Sequence, residues 1–431
     1  MTLQAGSPVT QPDTDSISPL ETESTTLPEP EAVPHPAPRS ATDPRAALLG
    51  VYRPPDILFV RGEGTELIDE AGRRYLDFTS GIGVNALGHG HPVVSGAIEC
   101  ALASGLLHAS NLFRTAPAEE LAVALARHSG LDRAFFCNSG AESVEGAIKF
   151  ARKWARSTGG EDKHRIVAFR GGFHGRLGAS LAVTDRPDYR KPFEPLMPGV
   201  DFVDPLDREV LDEALDPDRT AALILEPLQG EGGIRIFSDD LLRDVRALTL
   251  DRGIALILDE VQCGLGRTGT LFAFQPSGIR PDILCLAKPL AGGLPMGAVL
   301  LTEEVAEVMV PGDHGTTFGG GVLASTVALS VLKTISDPAF LTEVARKGEL
   351  LGSLLEKVRA SRPAVVREVR GKGLIRGIEL VEAAADTVTR VREAGLLTVP
   401  AGTHVIRFLP PLTVSDAEIR RAVEILEAGL P

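Results

Sequence analysis

Between residues 133 and 301 the chain repeats one pattern: a short apolar run, a stretch with helical periodicity, then another apolar run. The runs are Arg133-Ala-Phe-Phe-Cys137, Arg165-Ile-Val-Ala-Phe169, Ala221-Ala-Leu-Ile-Leu225, Ile254-Ala-Leu-Ile-Leu-Asp259, Asp282-Ile-Leu-Cys-Leu-Ala287 and Met296-Gly-Ala-Val-Leu-Leu301. A strand with one wet face alternates apolar and polar residues; these do not, so both faces must be covered. The pattern predicts an α/β fold with a mainly parallel sheet between helices, the helices falling near 118–128, 141–156 and 239–252. After about residue 338 the order changes to helix, strand (365–380), helix, strand (405–409), helix, which predicts a smaller α+β unit. Residues 52–77 carry short strand patterns, and 80–91 form a glycine-rich loop followed by helical periodicity. No internal repeat is present.

Length and charge narrow the function. A chain of 431 residues is too long for one simple core and suits two or three domains. A net charge of −14 argues against nucleic acid, whose binders use lysine and arginine on phosphates. Residues 1–45 hold nine prolines, seven acids, two basic residues and no aromatic residue, a composition that predicts a disordered tail. Cys100, Cys137, Cys263 and Cys285 show no metal or disulfide spacing; Cys137 and Cys285 read as small buried hydrophobes. No apolar stretch reaches the roughly 18 residues that span a bilayer. The N-terminus has no basic segment followed by an apolar one. The expectation is a cytoplasmic protein that meets neither membrane nor nucleic acid.

The ends of the apolar runs carry the chemistry, because ligands of open parallel sheets sit beyond the carboxyl ends of the strands. Lys288 follows one run and Asp259 ends another, 29 positions earlier. Desolvation lowers the pKa of such a lysine and frees the neutral amine that attacks a carbonyl. An aspartate beside it supplies the charge that a protonated pyridine ring requires. The two together point to an enzyme using pyridoxal 5'-phosphate. Asn138-Ser-Gly140-Ala141-Glu142 opens a helix, where free N–H groups meet a phosphate or simply a capping box forms. In Gly171-Gly-Phe173-His174-Gly-Arg176 the phenylalanine suits stacking on a flat ring, and the arginine suits a carboxylate. Glu226-Pro-Leu-Gln-Gly-Glu-Gly-Gly233 puts an acid at a strand end before a glycine turn; taken alone, Glu226 reads as a structural ion-pair partner. Arg407 stands among apolar neighbours in Val405-Ile-Arg-Phe-Leu-Pro-Pro411 and needs an anion, from the protein or from a substrate. Gly264-Leu-Gly266-Arg-Thr-Gly269 spells a dinucleotide-binding motif, but the Thr270-Leu-Phe-Ala-Phe-Gln-Pro276 that follows is no helix opening, so that reading is rejected. His89, His91, His174 and His314 lack metal-ligand spacing, so no metal site is expected. No G-x-S-x-G elbow occurs.

Taken jointly these motifs resemble the class III (ornithine-type) aminotransferases among the fold type I pyridoxal-phosphate enzymes, over about residues 50–430. His314-Gly-Thr-Thr-Phe-Gly-Gly320 and Val405–Leu412 resemble the subgroup that handles acetylornithine or acetyl-lysine. The resemblance implies a large domain with a mainly parallel seven-stranded sheet plus a smaller α+β domain. Its boundaries would be a tail at 1–45, a segment of the small domain at 46–110, the cofactor domain at 111–337 and the rest of the small domain at 338–431. It implies that Lys288 holds the cofactor aldehyde and shuttles the proton, and that Asp259 keeps the ring nitrogen protonated. Gln262 would reach the ring's phenolic oxygen, with Val261 and Phe173 on its two faces. Gly140 and Ala141 would hold the phosphate, joined by Thr317 from the second subunit of a homodimer. Arg176 would bind the substrate carboxylate, Thr316 would touch substrate, and Glu226 would pair with Arg407 in one half-reaction and release it in the other. The implied reaction moves the ω-amino group of an N-acylated diamino acid (acetylornithine, acetyl-lysine, or a lysine on an acidic carrier protein) to 2-oxoglutarate, giving a semialdehyde and glutamate, in arginine or lysine biosynthesis. Ornithine, succinylornithine or 4-aminobutyrate transfer, or an aminomutase reaction, stand as alternatives. Pro289, Cys263, Leu177 and Gly321-Val322 depart from the family pattern without removing a reacting group.

Overall fold

In the computed structural model, which describes residues 47–431, seven strands form the central sheet in the order Arg133–Cys137, Gly297–Leu301, Ile283–Leu286, Ala255–Asp259, Thr220–Leu225, Arg165–Phe169, Val200–Val203. Every neighbouring pair is parallel except those of Gly297–Leu301, which runs antiparallel to both strands beside it. The predicted parallel α/β architecture therefore holds, with helices at Ala116–Ser129, Gly140–Gly159 and Asp239–Asp251. The predicted tail at 1–45 lies outside the described residues. Residues 47–56 are exposed and form no strand.

The apolar runs divide their side chains between two cores with the period of two that a strand imposes. Leu223, Leu225, Leu256, Leu258, Leu284 and Leu286 face one core. Ala222, Ile224, Ala255, Ile257, Ile283 and Cys285 face the other. The second core is closed by Val144, Ala147, Ile148, Ala151 and Ala155 of helix Gly140–Gly159. The spacing of those residues is that of one helical face. Ser139 caps this helix by accepting from the Glu142 N–H at 3.2 Å, and Gly160 ends it at φ 92°.

Three further sheets lie within the unit Ile57–Pro431, the smallest a pair of Leu228–Gln229 and Arg235–Ile236. Phe59–Glu63, Glu66–Asp69 and Arg74–Asp77 form an antiparallel meander, and Leu396–Leu397 adds to it parallel to Arg74–Asp77. The stretch predicted as one strand over 365–380 is a hairpin, Val366–Lys372 against Ile375–Leu380. The chain reverses at Arg370-Gly-Lys-Gly373, where Gly371 (φ 118°) and Gly373 (φ 56°) take positive φ, a turn signal the single-strand reading passed over. Strand Val200–Val203 and helix Arg208–Ala214 were absent from the predicted order, being short and interrupted by acids. The segment Gly264–Gly269 forms turns and opens no helix, as its sequel implied. Its Arg267, fully buried, donates to the carbonyls of Leu374 (3.1 Å) and Pro410, tying that turn to the C-terminal part of the chain.

One glycine decides how closely the sheet approaches the start of helix Gly140–Gly159. Gly297 pairs with Cys137 across the antiparallel register. A Cβ on Gly297 would lie 2.5 Å from the Ser139 carbonyl oxygen and 2.7 Å from the Cys137 Sγ. Gly297→Ala should therefore cost about 1–3 kcal/mol of stability, the usual cost of overpacking. Urea denaturation measures it; a midpoint equal to wild type would show that Ser139 retreats freely.

Candidate active site

The sheet order brings distant residues together at the carboxyl ends of its strands. Successive neighbours Ile283–Leu286, Ala255–Asp259, Thr220–Leu225 and Arg165–Phe169 are followed by Lys288, Asp259 itself, Glu226 and the Phe173–Arg176 loop. Arg133–Cys137, beyond the antiparallel strand, leads into Asn138–Ala141. A cavity of about 410 Å³ opens where these ends converge, within the size range of cofactor pockets. Gly140, Ala141, Phe173, Arg176, Glu226, Asp259, Val261, Gln262 and Lys288 all line it.

Lys288 follows its strand by a single residue and takes φ 30°, left-handed for a non-glycine residue. Such backbone costs on the order of 1–3 kcal/mol and persists only where its surroundings impose it. Burial lowers the lysine's pKa, and the Arg407 cation pushes the same way against Asp259, Glu231 and Glu226. The neutral amine is thereby favoured.

Asp259 is 3% exposed, so its carboxylate needs partners. His174 Nδ1 lies 2.8 Å from one carboxylate oxygen, and the Val261 N–H donates to the other at 3.0 Å. His174, which shows no metal-ligand spacing, was not among the predicted site residues; its position between Phe173 and Arg176 was the available signal. The Thr184 hydroxyl accepts from its N–H at 2.9 Å and fixes the backbone. Glu226 accepts from the N–H groups of Phe173 (2.9 Å) and Gly230 (3.1 Å). Burial, opposed by His174 and reinforced by Asp259, holds its carboxyl up at about 7.

The predicted pairing of Glu226 with Arg407 is not in this structure. Arg407, 1% exposed, is 2.7 Å from Glu231 and donates to the Gln262 carbonyl oxygen at 3.0 Å. Glu226 is held away by its two backbone donors. Glu231 follows five positions later in the same glycine-rich turn, and that second acid was the signal in the sequence. Gly230 lets the turn approach, since a Cβ there would meet the Gln262 side-chain oxygen at 1.8 Å.

At the helix start, the Gly140 and Ala141 N–H groups meet no protein acceptor among the described residues. A Cβ on Gly140 would strike Val261 Cγ1 at 2.6 Å, so only glycine lets the helix end and Val261 share that wall. Thr316 accepts from Asn138 Nδ2 at 3.1 Å without lining the cavity, and Thr317 is exposed. Arg176 makes neither hydrogen bond nor ion pair with the protein among the described residues. Cys137, Cys263 and Cys285 are buried, with the Cys137 thiol pushed up to about 12, so none is a poised nucleophile. Among the described residues no cluster of potential metal ligands occurs.

A half-buried lysine and a buried carboxylate at adjacent strand ends, on this sheet order, fit a transferase of amino groups, and the chain belongs to the class-III aminotransferases, whose family pattern it matches over residues 51–430. It is 47% identical over 380 residues to acetylornithine aminotransferase 1 of Bradyrhizobium diazoefficiens, covering 88% of this chain and 93% of that one. Against the acetylornithine aminotransferase of Methanocaldococcus jannaschii the identity is 46% over 383 residues, covering 88% and 94%. The ornithine aminotransferase structure of Toxoplasma gondii, described with partial occupancy of PLP at its active site, superposes with a TM-score of 0.85 at 33% identity, covering 89% and 92%.

Glu260, next to Asp259, points away from this chemistry. Its buried carboxylate accepts from the N–H groups of Ala273 (2.7 Å) and Phe274 (2.8 Å), and burial pushes its pKa up to about 8. An acid whose folded pKa is raised contributes stability present below its unfolded pKa and lost as pH rises through the folded value. Wild type should therefore lose ground to Glu260→Gln between about pH 4.5 and 8, by at most about 1.4 kcal/mol per pH unit. Urea midpoints of both proteins across that window test this; parallel curves would place the carboxylate's pKa in its ordinary range.

Proposed function

We propose that this aminotransferase uses pyridoxal 5'-phosphate to move the ω-amino group of N-acetylornithine to 2-oxoglutarate, giving a semialdehyde and glutamate. The observation that carries the reading is the pair Lys288 and Asp259 at neighbouring strand ends, in a cavity that also receives an arginine with unused donors. The identities to acetylornithine aminotransferases support the choice of donor. The residues fit the cofactor: Gly140 and Ala141 would offer N–H groups to its phosphate, Phe173 and Val261 would flank its ring, and Asp259 would accept from its ring nitrogen. When bound, it supplies the aldehyde that takes up the amino group and a ring that stores the electron pair.

The chain's own groups do the rest. Lys288, favoured as a neutral amine, would hold the cofactor's aldehyde until the donor amine displaces it, and the freed amine would then serve as the base and acid that moves the proton. His174 holds Asp259 in place and donates to it, so the carboxylate stays aimed at the ring site. Gln262, its oxygen taken by Arg407, has its amide N–H groups for the ring's phenolic oxygen. Arg176 binds the donor carboxylate. Arg407 is neutralised by Glu231 while the donor is bound, and the second carboxylate of 2-oxoglutarate displaces Glu231 in the other half-reaction.

The reading includes a homodimer in which Thr317 of a second copy completes the phosphate site and Thr316 approaches substrate. Exposed apolar residues support it. Phe318 (66% exposed) follows Thr317, and Leu112 (87%) and Phe113 (72%) follow Asn111, whose Nδ2 donates to the Thr316 carbonyl at 2.7 Å, the His108 and Phe318 rings lying 5.4 Å apart. A patch of this kind is what an interface covers. We also propose the domain division at 110 and 337, supported by the pairing of Leu396–Leu397 with the N-terminal meander, and a cytoplasmic location; no helix among the described residues is long and apolar enough to cross a membrane.

Lys288→Ala should abolish both the near-visible absorbance of the loaded enzyme and turnover of N-acetylornithine with 2-oxoglutarate. Retained turnover would refute the mechanism. A panel of N-acetylornithine, N-acetyl-lysine, carrier-linked lysine, ornithine, succinylornithine and 4-aminobutyrate should give the highest kcat/KM for the first. Turnover without any keto acid would assign an aminomutase instead.

A further inference from the structure

We propose that Tyr189 is a positioning residue that fixes the plane of the Arg176 guanidinium for the donor carboxylate; the proposal rests on the reading that Arg176 binds that carboxylate. The guanidinium carbon lies 3.6 Å from the Tyr189 ring centroid, while Phe173 is farther, at 5.9 Å. No protein acceptor among the described residues holds Arg176. All five N–H donors of a guanidinium lie in its plane, and stacking covers only a face. The tyrosine thus orients the group without using a donor that the substrate needs. An aspartate or glutamate in that place would orient it too, but would compete with the substrate for the same fork.

The ring is held from both ends of its segment. Asp185 accepts from the Gly171 N–H at 2.9 Å and donates its own N–H to the Gly172 carbonyl at 2.9 Å, pinning the segment to the loop that bears Arg176. Arg186 donates to the carbonyl of Glu231. Arg190, at the end of the short helix Pro187–Arg190, stacks over Phe202 of the edge strand at 4.6 Å. The Tyr189 hydroxyl has no protein partner among the described residues, so the aromatic face is the part that acts. The segment also reaches the turn that carries Glu231, so one brace serves the free arginine and the carboxylate that neutralises Arg407.

Steady-state kinetics of the holoenzyme with N-acetylornithine and 2-oxoglutarate tests this, with near-visible absorbance checking that each variant carries its cofactor. Tyr189→Leu should raise the KM for N-acetylornithine about fivefold, inside the roughly 2- to 30-fold that a cation–π contact is worth, with kcat nearly unchanged. Tyr189→Phe should match wild type. An unchanged KM in Tyr189→Leu, a Tyr189→Phe variant as impaired as Tyr189→Leu, or a fall in kcat equal to the fall in kcat/KM would each overturn the proposal. Arg176→Ala separates the two levels: if it too leaves the donor KM unchanged, the reading of Arg176 fails; if it raises KM while Tyr189→Leu does not, only the stack fails.

Discussion

The carboxylate of Asp259 is the constraint around which the rest is arranged. A buried anion with no partners would be protonated or would destabilise the fold by several kcal/mol. Here one oxygen is met by His174 and the other by the Val261 N–H. That arrangement requires the His174 loop to be fixed, which Thr184 does through the backbone, and the turn after Asp259 to bend at once, which places Val261 on the cavity wall. The requirement propagates outward: Val261 packs so closely on the start of helix Gly140–Gly159 that residue 140 has no room for a side chain. One buried charge thus fixes one wall of the cavity and its spacing to the start of helix Gly140–Gly159.

Sheet order does the remaining positioning. The strands that deliver Lys288, Asp259, Glu226 and Phe173 are consecutive neighbours, so the four arrive on one edge without long loops. The antiparallel strand Gly297–Leu301 separates this group from Arg133–Cys137, setting the start of helix Gly140–Gly159 two strands from Lys288. Lys288 leaves its strand in a left-handed conformation, and that immediate turn keeps the amine at the strand end.

Much of this was legible in the sequence, for a physical reason. Strands buried on both faces announce themselves as unbroken apolar runs, and a polar residue that ends such a run must have a partner. Lys288, Asp259 and Glu226 were found that way, and Arg176 from the glycine-rich loop beyond strand Arg165–Phe169. What stayed hidden depends on distance in space. His174 has nothing around it in sequence that pairs with it; its partner is 85 residues away. The choice between Glu226 and Glu231 for Arg407 turns on two backbone N–H groups that claim Glu226, and a linear pattern does not reveal where those point. The hairpin at Val366–Leu380 does show in the sequence, as the turn signal Arg370-Gly-Lys-Gly373 that the single-strand reading ran through. Tyr189 carries no signal of its own in the sequence, since its ring face lies on a guanidinium 13 positions earlier.

The two arginines face opposite physical problems. Arg407 is almost fully buried, where an unpaired guanidinium is heavily penalised, so its counter-ion can leave only as another anion arrives. Glu231 is better exposed than Arg407, at 30% against 2% for the side chains, and can withdraw into water at little cost. On the proposed function, the pair would therefore act as an exchange site for a substrate bringing a second carboxylate. Arg176 is exposed at the cavity mouth, where water satisfies its donors and no protein carboxylate is needed. Its difficulty is entropic: a long side chain must find one plane before it can grip a carboxylate with two bonds. An aromatic face meets that need, and a counter-ion does not, because only the former leaves the fork open.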